Sequence, residues 1–224
     1  MQPPQKDKKL TEKERLGLLL GGGFGTMVVG GNLHAVIPQY GTPAERRALS
    51  SLKREMIFHG VTPTFLTTGP AHYNPKSKSV HYDTFSTRTG LHEYGHATSA
   101  RNTLLGALRR ANMRTTYQMI HTPLLRLGLL TQIGPTKDSS TRGAILGGAL
   151  AIPALAEEAT ANIQAATRII RTNGARGIAP AMRYLAAMAP AFSTYVGKGA
   201  FLAGTGYGAG LLREKLFSPR KTRR

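Results

Sequence analysis

A chain of 224 residues is long enough for one domain with a sizeable core, or for a small domain carrying membrane helices. Its 30 Lys and Arg against 11 Asp and Glu leave a formal charge of +19, which favours acidic partners: anionic lipid, nucleic acid or both. Cysteine is absent, which excludes disulfides and thiolate-held metals, so a metal site must be built from His and carboxylate.

Residues 1–15 form a basic polar leader with Lys6, Lys8, Lys9, Lys13 and Arg15. Residues 16–40 are apolar and Gly-rich, and positions 16–37 hold no Asp, Glu, Lys or Arg. As a helix that run is about 33 Å long, enough to cross the hydrocarbon core of a bilayer. Asn32 and His34 interrupt it near its end, and Gly21 and Gly25 have the spacing that lets membrane helices pack closely. Three interpretations are open: a membrane-inserted or interfacial helix, a buried helix or Gly-rich loop, and a cleaved signal. The long polar leader counts against the last.

Residues 43–60 are predicted to form an amphipathic helix. Thr42 is the cap, Pro43 fits the first turn, Leu49, Leu52, Met56 and Ile57 recur at helical spacing, and Gly60 ends it. Val61 to Thr67 is rich in β-branched and aromatic residues and reads as a strand. Residues 71–73 and 79–82 flank Asn74-Pro75-Lys76-Ser77-Lys78, the chemistry of a hairpin turn.

The next stretch contains His92-Glu93-x-x-His96. On a helix, residues i and i+4 share one face, so two imidazoles can bind one metal ion while Glu93 reaches a water on it. Thr87 or Thr89 can cap this helix. Gly95 costs about 1 kcal/mol in a helix interior, which makes sense where another backbone or a substrate packs against it. The plainer alternative is a surface helix with two histidines and a glutamate.

The helix is predicted to run to about Asn112, with Arg101, Arg109 and Arg110 exposed. A second helix is expected over 115–133, interrupted by Pro123. Residues 143–156 are uncharged and end at Glu157-Glu158. Burying such carboxylates is costly unless they are paired or bind a metal.

H-E-x-x-H followed, after hydrophobic helices, by E-x-x-x-D resembles the gluzincin-type membrane metallopeptidases, which include the heat-shock membrane peptidases and the CAAX prenyl proteases. Here the second element reads Glu158-Ala159-Thr160-Ala161-Asn162. The resemblance implies an α+β, mostly helical fold, with a zincin-like catalytic domain over 41–175, a small sheet or hairpin, and Gly/Ala-rich membrane-associated helices. It implies Zn2+ held by His92, His96 and Glu158, with Glu93 as general base. Asn162 stands where the family has Asp; its carbonyl can still accept from a ligand imidazole, without the charge that raises ligand basicity. Glu157 is the alternative third ligand. Without a metal, both glutamates would cap helix charge or pair with Arg168 or Arg171. The strand with Val80, His81 and Tyr82 would be the cleft edge that holds an extended peptide by backbone pairing. His72 and His81 read as ordinary strand histidines.

Past Ile170 the chain turns basic, with Asn173-Gly174 as a break. Residues 176–213 read as apolar Gly/Ala-rich helices, in which runs 184–197 and 199–212 flank Lys198. Each run is too short to span a bilayer alone, so they form one long span, a re-entrant hairpin, or helices buried in an assembly. Gly204/Gly208 and Gly206/Gly210 offer small-residue faces for helix packing or oligomer formation. Residues 214–224 are a basic tail suited to anionic lipid or nucleic acid.

The expected function is a membrane-associated zinc metalloendopeptidase acting on a peptide or protein substrate, with His121, Tyr184 and Tyr195 as candidate oxyanion donors. The alternative is a non-enzymatic basic protein that binds membrane or nucleic acid and carries a structural or vestigial metal site.

Overall fold

The computed structural model of the chain describes residues 10–65, 71–83, 85–99 and 135–217. In chain order these form helices α1 (Glu12–Val36) and α2 (Pro43–Phe58), strands β1 (Thr62–Phe65), β2 (His72–Asn74) and β3 (Ser79–Tyr82), and helix α3 (Thr87–Ser99). Two long helices follow, α4 (Ser139–Asn173) and α5 (Ile178–Phe217), joined by the 3-10 turn Gly174–Gly177. The fold is mostly helical with one small sheet, in the α+β class. The expected helix over 115–133, its Pro123, His121, and the continuation of α3 past Ser99 lie outside the described residues.

Helix α2 starts where its sequence says. Thr42 closes a capping box: its hydroxyl accepts from the Glu45 N–H at 3.3 Å, and the Glu45 carboxylate accepts from the Thr42 N–H. Ala44, Ala48, Leu52 and Met56, four apart, face inward. Ile57, expected on the same face, is half exposed. Glu45 is fully buried, and its other oxygen receives Arg88 Nε at 3.2 Å. The cap of α2 is thereby tied to the first turn of α3, and Arg88 also donates to the Pro38 carbonyl at 2.8 Å.

The sheet order is β1-β3-β2. Strands β2 and β3 make the expected hairpin, with His72 opposite His81, while β1 pairs with β3 in parallel, Thr62 opposite Ser79. This corrects the expected role of Val80, His81 and Tyr82. They lie in the central strand, whose backbone is committed to a neighbour on each side, so it has no free edge for an extended peptide. The sheet edges are β1 and β2.

Among the described residues, 10–26, 135–151 and 196–217 belong to one compact unit, and 27–65, 71–83, 85–99 and 152–195 to the other. The second unit holds the main core: Leu52 and Met56 from α2, Val80 and Tyr82 from β3, Leu91 and Tyr94 from α3, Ile169 from α4, and Tyr184 and Met188 from α5. In the first unit, helices approach through small residues. Gly204 lies against Leu19 and Leu20, and Gly210 against the Ser139 backbone. These two glycines of the expected oligomer face are therefore used within the chain, whereas Gly21 and Gly25 face open space.

The 178–217 stretch is a single 40-residue helix, about 60 Å long, with Lys198 inside it. Two helical stretches are long and apolar enough to cross a membrane, Glu12–Val36 and one within Ser139–Phe217. Leu18, Phe24, Val29 and Val36 on α1, and Ile145, Ile152 and Ile163 on α4, are exposed.

Replacing Thr42 by Ala removes one partner of the capping box and should lower the unfolding free energy by about 1 kcal/mol. Urea titration would read this as an earlier midpoint; an unmoved midpoint would show that the box does not hold α2.

Candidate metal centre

Helix α3 is not a surface helix: residues 90–97 are all buried. Leu91 and Tyr94 enter the core, and Tyr94 meets Tyr82 edge-to-face at 5.8 Å. Gly95 supplies the close approach that its sequence position implied. A Cβ there would stand 2.3 Å from the Ala161 carbonyl oxygen and 2.9 Å from its carbon. The backbones of α3 and α4 touch at this point, which brings His92 and His96, three residues before and one after Gly95, to Glu157, Glu158 and Asn162.

The two histidines turn their Nε2 atoms towards each other, 3.1 Å apart. Glu158 closes the triangle, with Oε2 3.0 Å from His92 Nε2 and Oε1 3.6 Å from His96 Nε2. One ligand atom from each of the three residues lies within 4.8 Å of the others. Metal bonds of about 2.0–2.2 Å in tetrahedral geometry place ligand atoms about 3.3–3.6 Å apart, so this donor set fits a single small cation.

The remaining ring nitrogens are also occupied. Asn162 Oδ1 accepts from His92 Nδ1 at 2.9 Å, which leaves the His92 Nε2 lone pair for a metal. Tyr184, fully buried, donates to the same Oδ1 at 3.3 Å and holds the amide in place. Glu157 Oε1 lies 3.4 Å from His96 Nδ1. The two glutamates thus divide the roles that the sequence left open: Glu158 faces the ligand side and Glu157 the outer nitrogen of His96. Neither is spent on Arg168, which pairs with Glu55 instead.

Glu93, one residue along from His92, is buried, and its carboxylate makes no hydrogen bond or ion pair among the described residues. Its charge reaches His96. Tyr195 is hydrogen-bonded to Glu158, whereas Tyr184 is committed to Asn162. His81 and His72 stack on each other at 4.5 Å, and His81 bonds Ser79 Oγ at 2.7 Å, so both stay strand histidines apart from this group. His34 was not expected here. It lies within electrostatic reach of His92, and its Nδ1 is buried without a hydrogen-bond partner among the described residues. The signal was present in the sequence, as the one ionisable side chain between residues 16 and 36. Beside Asn162, an apolar cavity of about 230 Å³ is lined by Ile163, Leu185, Met188 and Phe192.

Burial alone would lower the pKa of His96, but its contacts with Glu157 and Glu158 and the nearby carboxylate charges outweigh that and push it up to about 9. In the metal-free protein a proton on His96 therefore offsets the carboxylates.

Compared with known proteins, the chain matches no family model, and no curated protein or solved structure is significantly similar to it.

Two outcomes are expected. The unfolded imidazole titrates near 6.5 and the folded one near 9, so protonated His96 stabilises the metal-free fold fully below about 6.5, and this contribution is lost as pH rises through about 9. A metal needs the neutral ring, so its affinity should climb with pH towards about 9 and binding near neutral pH should release a proton. Calorimetry in buffers of different ionisation enthalpy measures this, and a buffer-independent heat would contradict it. Gly95→Ala should cost about 1–3 kcal/mol by overpacking and weaken metal binding as the two helices part. A variant with unchanged melting temperature and metal content would show that this contact does not set the site.

Proposed function

We propose that the chain is a membrane-associated, zinc-dependent metallopeptidase that hydrolyses peptide bonds. The observation that carries this is the triangle of His92, His96 and Glu158 beside a buried Glu93 carboxylate that has no hydrogen bond or ion pair among the described residues. Two imidazoles and one carboxylate, with no thiolate, are a donor set used by catalytic zinc, and three protein ligands leave a position open. A bound zinc would supply Lewis acidity and a water of pKa about 7.

The chain's own residues account for the rest. Glu93 takes a proton from the attacking water and returns it to the leaving amine. Asn162 and Glu157 fix the ring orientations of His92 and His96, and Tyr184 fixes Asn162. Tyr195 brings a hydroxyl to the same group, suited to the oxygen on which charge develops. The apolar cavity beside Asn162 suits an apolar side chain of the substrate. Membrane association is supported by the two apolar helical stretches and by their exposed Leu, Ile, Val and Phe.

The second reading, a non-enzymatic basic protein that binds membrane or nucleic acid, draws on the +19 charge. Glu93 separates the two, because a structural metal site has no use for a general base. Glu93→Gln should keep about one zinc per chain and lose at least about 10²-fold in hydrolysis of a peptide library. Glu158→Ala should lose the metal, and Glu157→Ala should weaken it by about 10–100-fold. A wild-type protein without zinc under metal-replete conditions would overturn the enzyme reading.

A further inference from the structure

A second feature of the chain is unrelated to the metal group. Along α2, Arg46, Arg47, Ser50, Ser51 and Arg54 line a groove of about 500 Å³ that Thr172, at the end of α4, closes from the other side. Their spacing of three and four residues puts these side chains on the helix face opposite Ala44, Ala48, Leu52 and Met56. Among the described residues, Arg46 and Arg47 have only neutral partners. Arg46 Nη1 donates to the Gly41 carbonyl at 3.1 Å, and Arg47 Nε donates to Asn173 Oδ1 at 2.9 Å. The carboxylates nearest in sequence are committed elsewhere, Glu45 to Arg88 and Glu55 to Arg168. Three guanidiniums therefore share one concave surface, with no ion pair among the described residues, beside three hydroxyls.

Arg47 and Arg54 lie two turns apart with Arg46 beside them, so like charges repel one another across one face of the helix. An anion with several acceptor oxygens relieves that repulsion and takes the bidentate bonds that guanidinium offers. Two of the three forks are also held by their neutral contacts, which reduces the entropy lost on binding.

We propose that this groove binds the phosphate headgroup of an anionic phospholipid. Place and surroundings favour lipid. The α1 stretch that is apolar enough to cross a membrane ends at Val36, and α2 begins at Pro43. The seven peptide steps from Val36 to Pro43 reach at most about 25 Å, so the groove follows closely on the end of that stretch. Ile170, two residues before Thr172, and Ile178 and Met182 just after the turn are exposed, as are Arg171, Arg176 and Arg183. Apolar and cationic side chains so mixed are the composition of an interfacial surface. A single-stranded nucleic acid site would add aromatic platforms, and none of the groove residues is aromatic. The proposal rests on the membrane association argued above, and not on the metal chemistry.

The test uses full-length protein in a non-ionic detergent, titrated by calorimetry with short-chain phosphatidylglycerol, short-chain phosphatidylcholine, inorganic phosphate and polyuridylate. Phosphatidylglycerol should bind at least about tenfold tighter than phosphatidylcholine. The triple variant Arg46→Gln, Arg47→Gln, Arg54→Gln should lose that preference. The triple variant Arg220→Gln, Lys221→Gln, Arg223→Gln removes the same charge from the tail and should keep it. Equal loss in both variants would reduce the effect to net charge and overturn the site. Phosphate binding as tight as the lipid, or selective loss of polyuridylate binding in the groove variant, would assign the groove to another ligand. The groove variant should keep the wild-type melting temperature and metal content, so a failure here is distinct from a failure of the metallopeptidase reading.

Discussion

The site depends on one backbone contact. At Gly95 the α3 chain comes so close to the Ala161 carbonyl that no side chain fits between them. Everything chemical lies within a turn of that contact: His92 and His96 on one helix, Glu157, Glu158 and Asn162 on the other. The contact is held from outside by the core under it. Leu91 and Tyr94 anchor α3, and Ala165 and Ile169 anchor α4 one and two turns further on. A glycine that weakens a helix by about 1 kcal/mol is retained where it shortens the distance between ligand-bearing backbones.

Electrostatics would favour a cation there. Glu93, Glu157 and Glu158 gather at a largely buried place, and among the described residues His92, His96 and the Tyr195 hydroxyl face Glu157 and Glu158. Buried carboxylates are tolerated when paired or metal-bound. A proton on His96 answers part of that need, and a divalent ion answers more of it at the same position. A bound metal would compete with that proton for one role, which would couple the fold of the second unit to whichever is present.

Local chemistry was legible in the sequence. The Thr42 cap, the 71–82 hairpin, the pairing of His92 with His96 and the break at Asn173-Gly174 all follow from neighbours a few residues apart. Asn162 was legible through spacing from Glu158, and its bond to His92 is the one that spacing implied. What was not legible is non-local. Strand β3 looked like an edge because its hairpin partner is adjacent in sequence, while its second partner, β1, pairs in parallel across an intervening strand. Tyr184 is 22 residues from Asn162, and His34 is far from every other site residue; neither distance leaves a periodic trace. The division of roles between Glu157 and Glu158 depends on helix rotation, which one residue of sequence cannot resolve.

The composition of α4 pulls in two directions. Residues 143–156 of α4 are uncharged and expose Ile145 and Ile152, as a lipid-facing helix would. The next two residues are glutamates that such an environment would reject. They are tolerated because α3 meets α4 at that level and covers them with imidazoles. An apolar helix can thus carry carboxylates where another element packs against it, and the glycine contact supplies that cover. Beyond the site the same helix turns basic at Arg168 and Arg171, where α2 brings its arginines to Thr172. Along α4 the order is apolar run, covered carboxylates, cationic end. That gradient suits a helix leaving hydrocarbon for a headgroup layer, with the histidine and glutamate group where the apolar run ends.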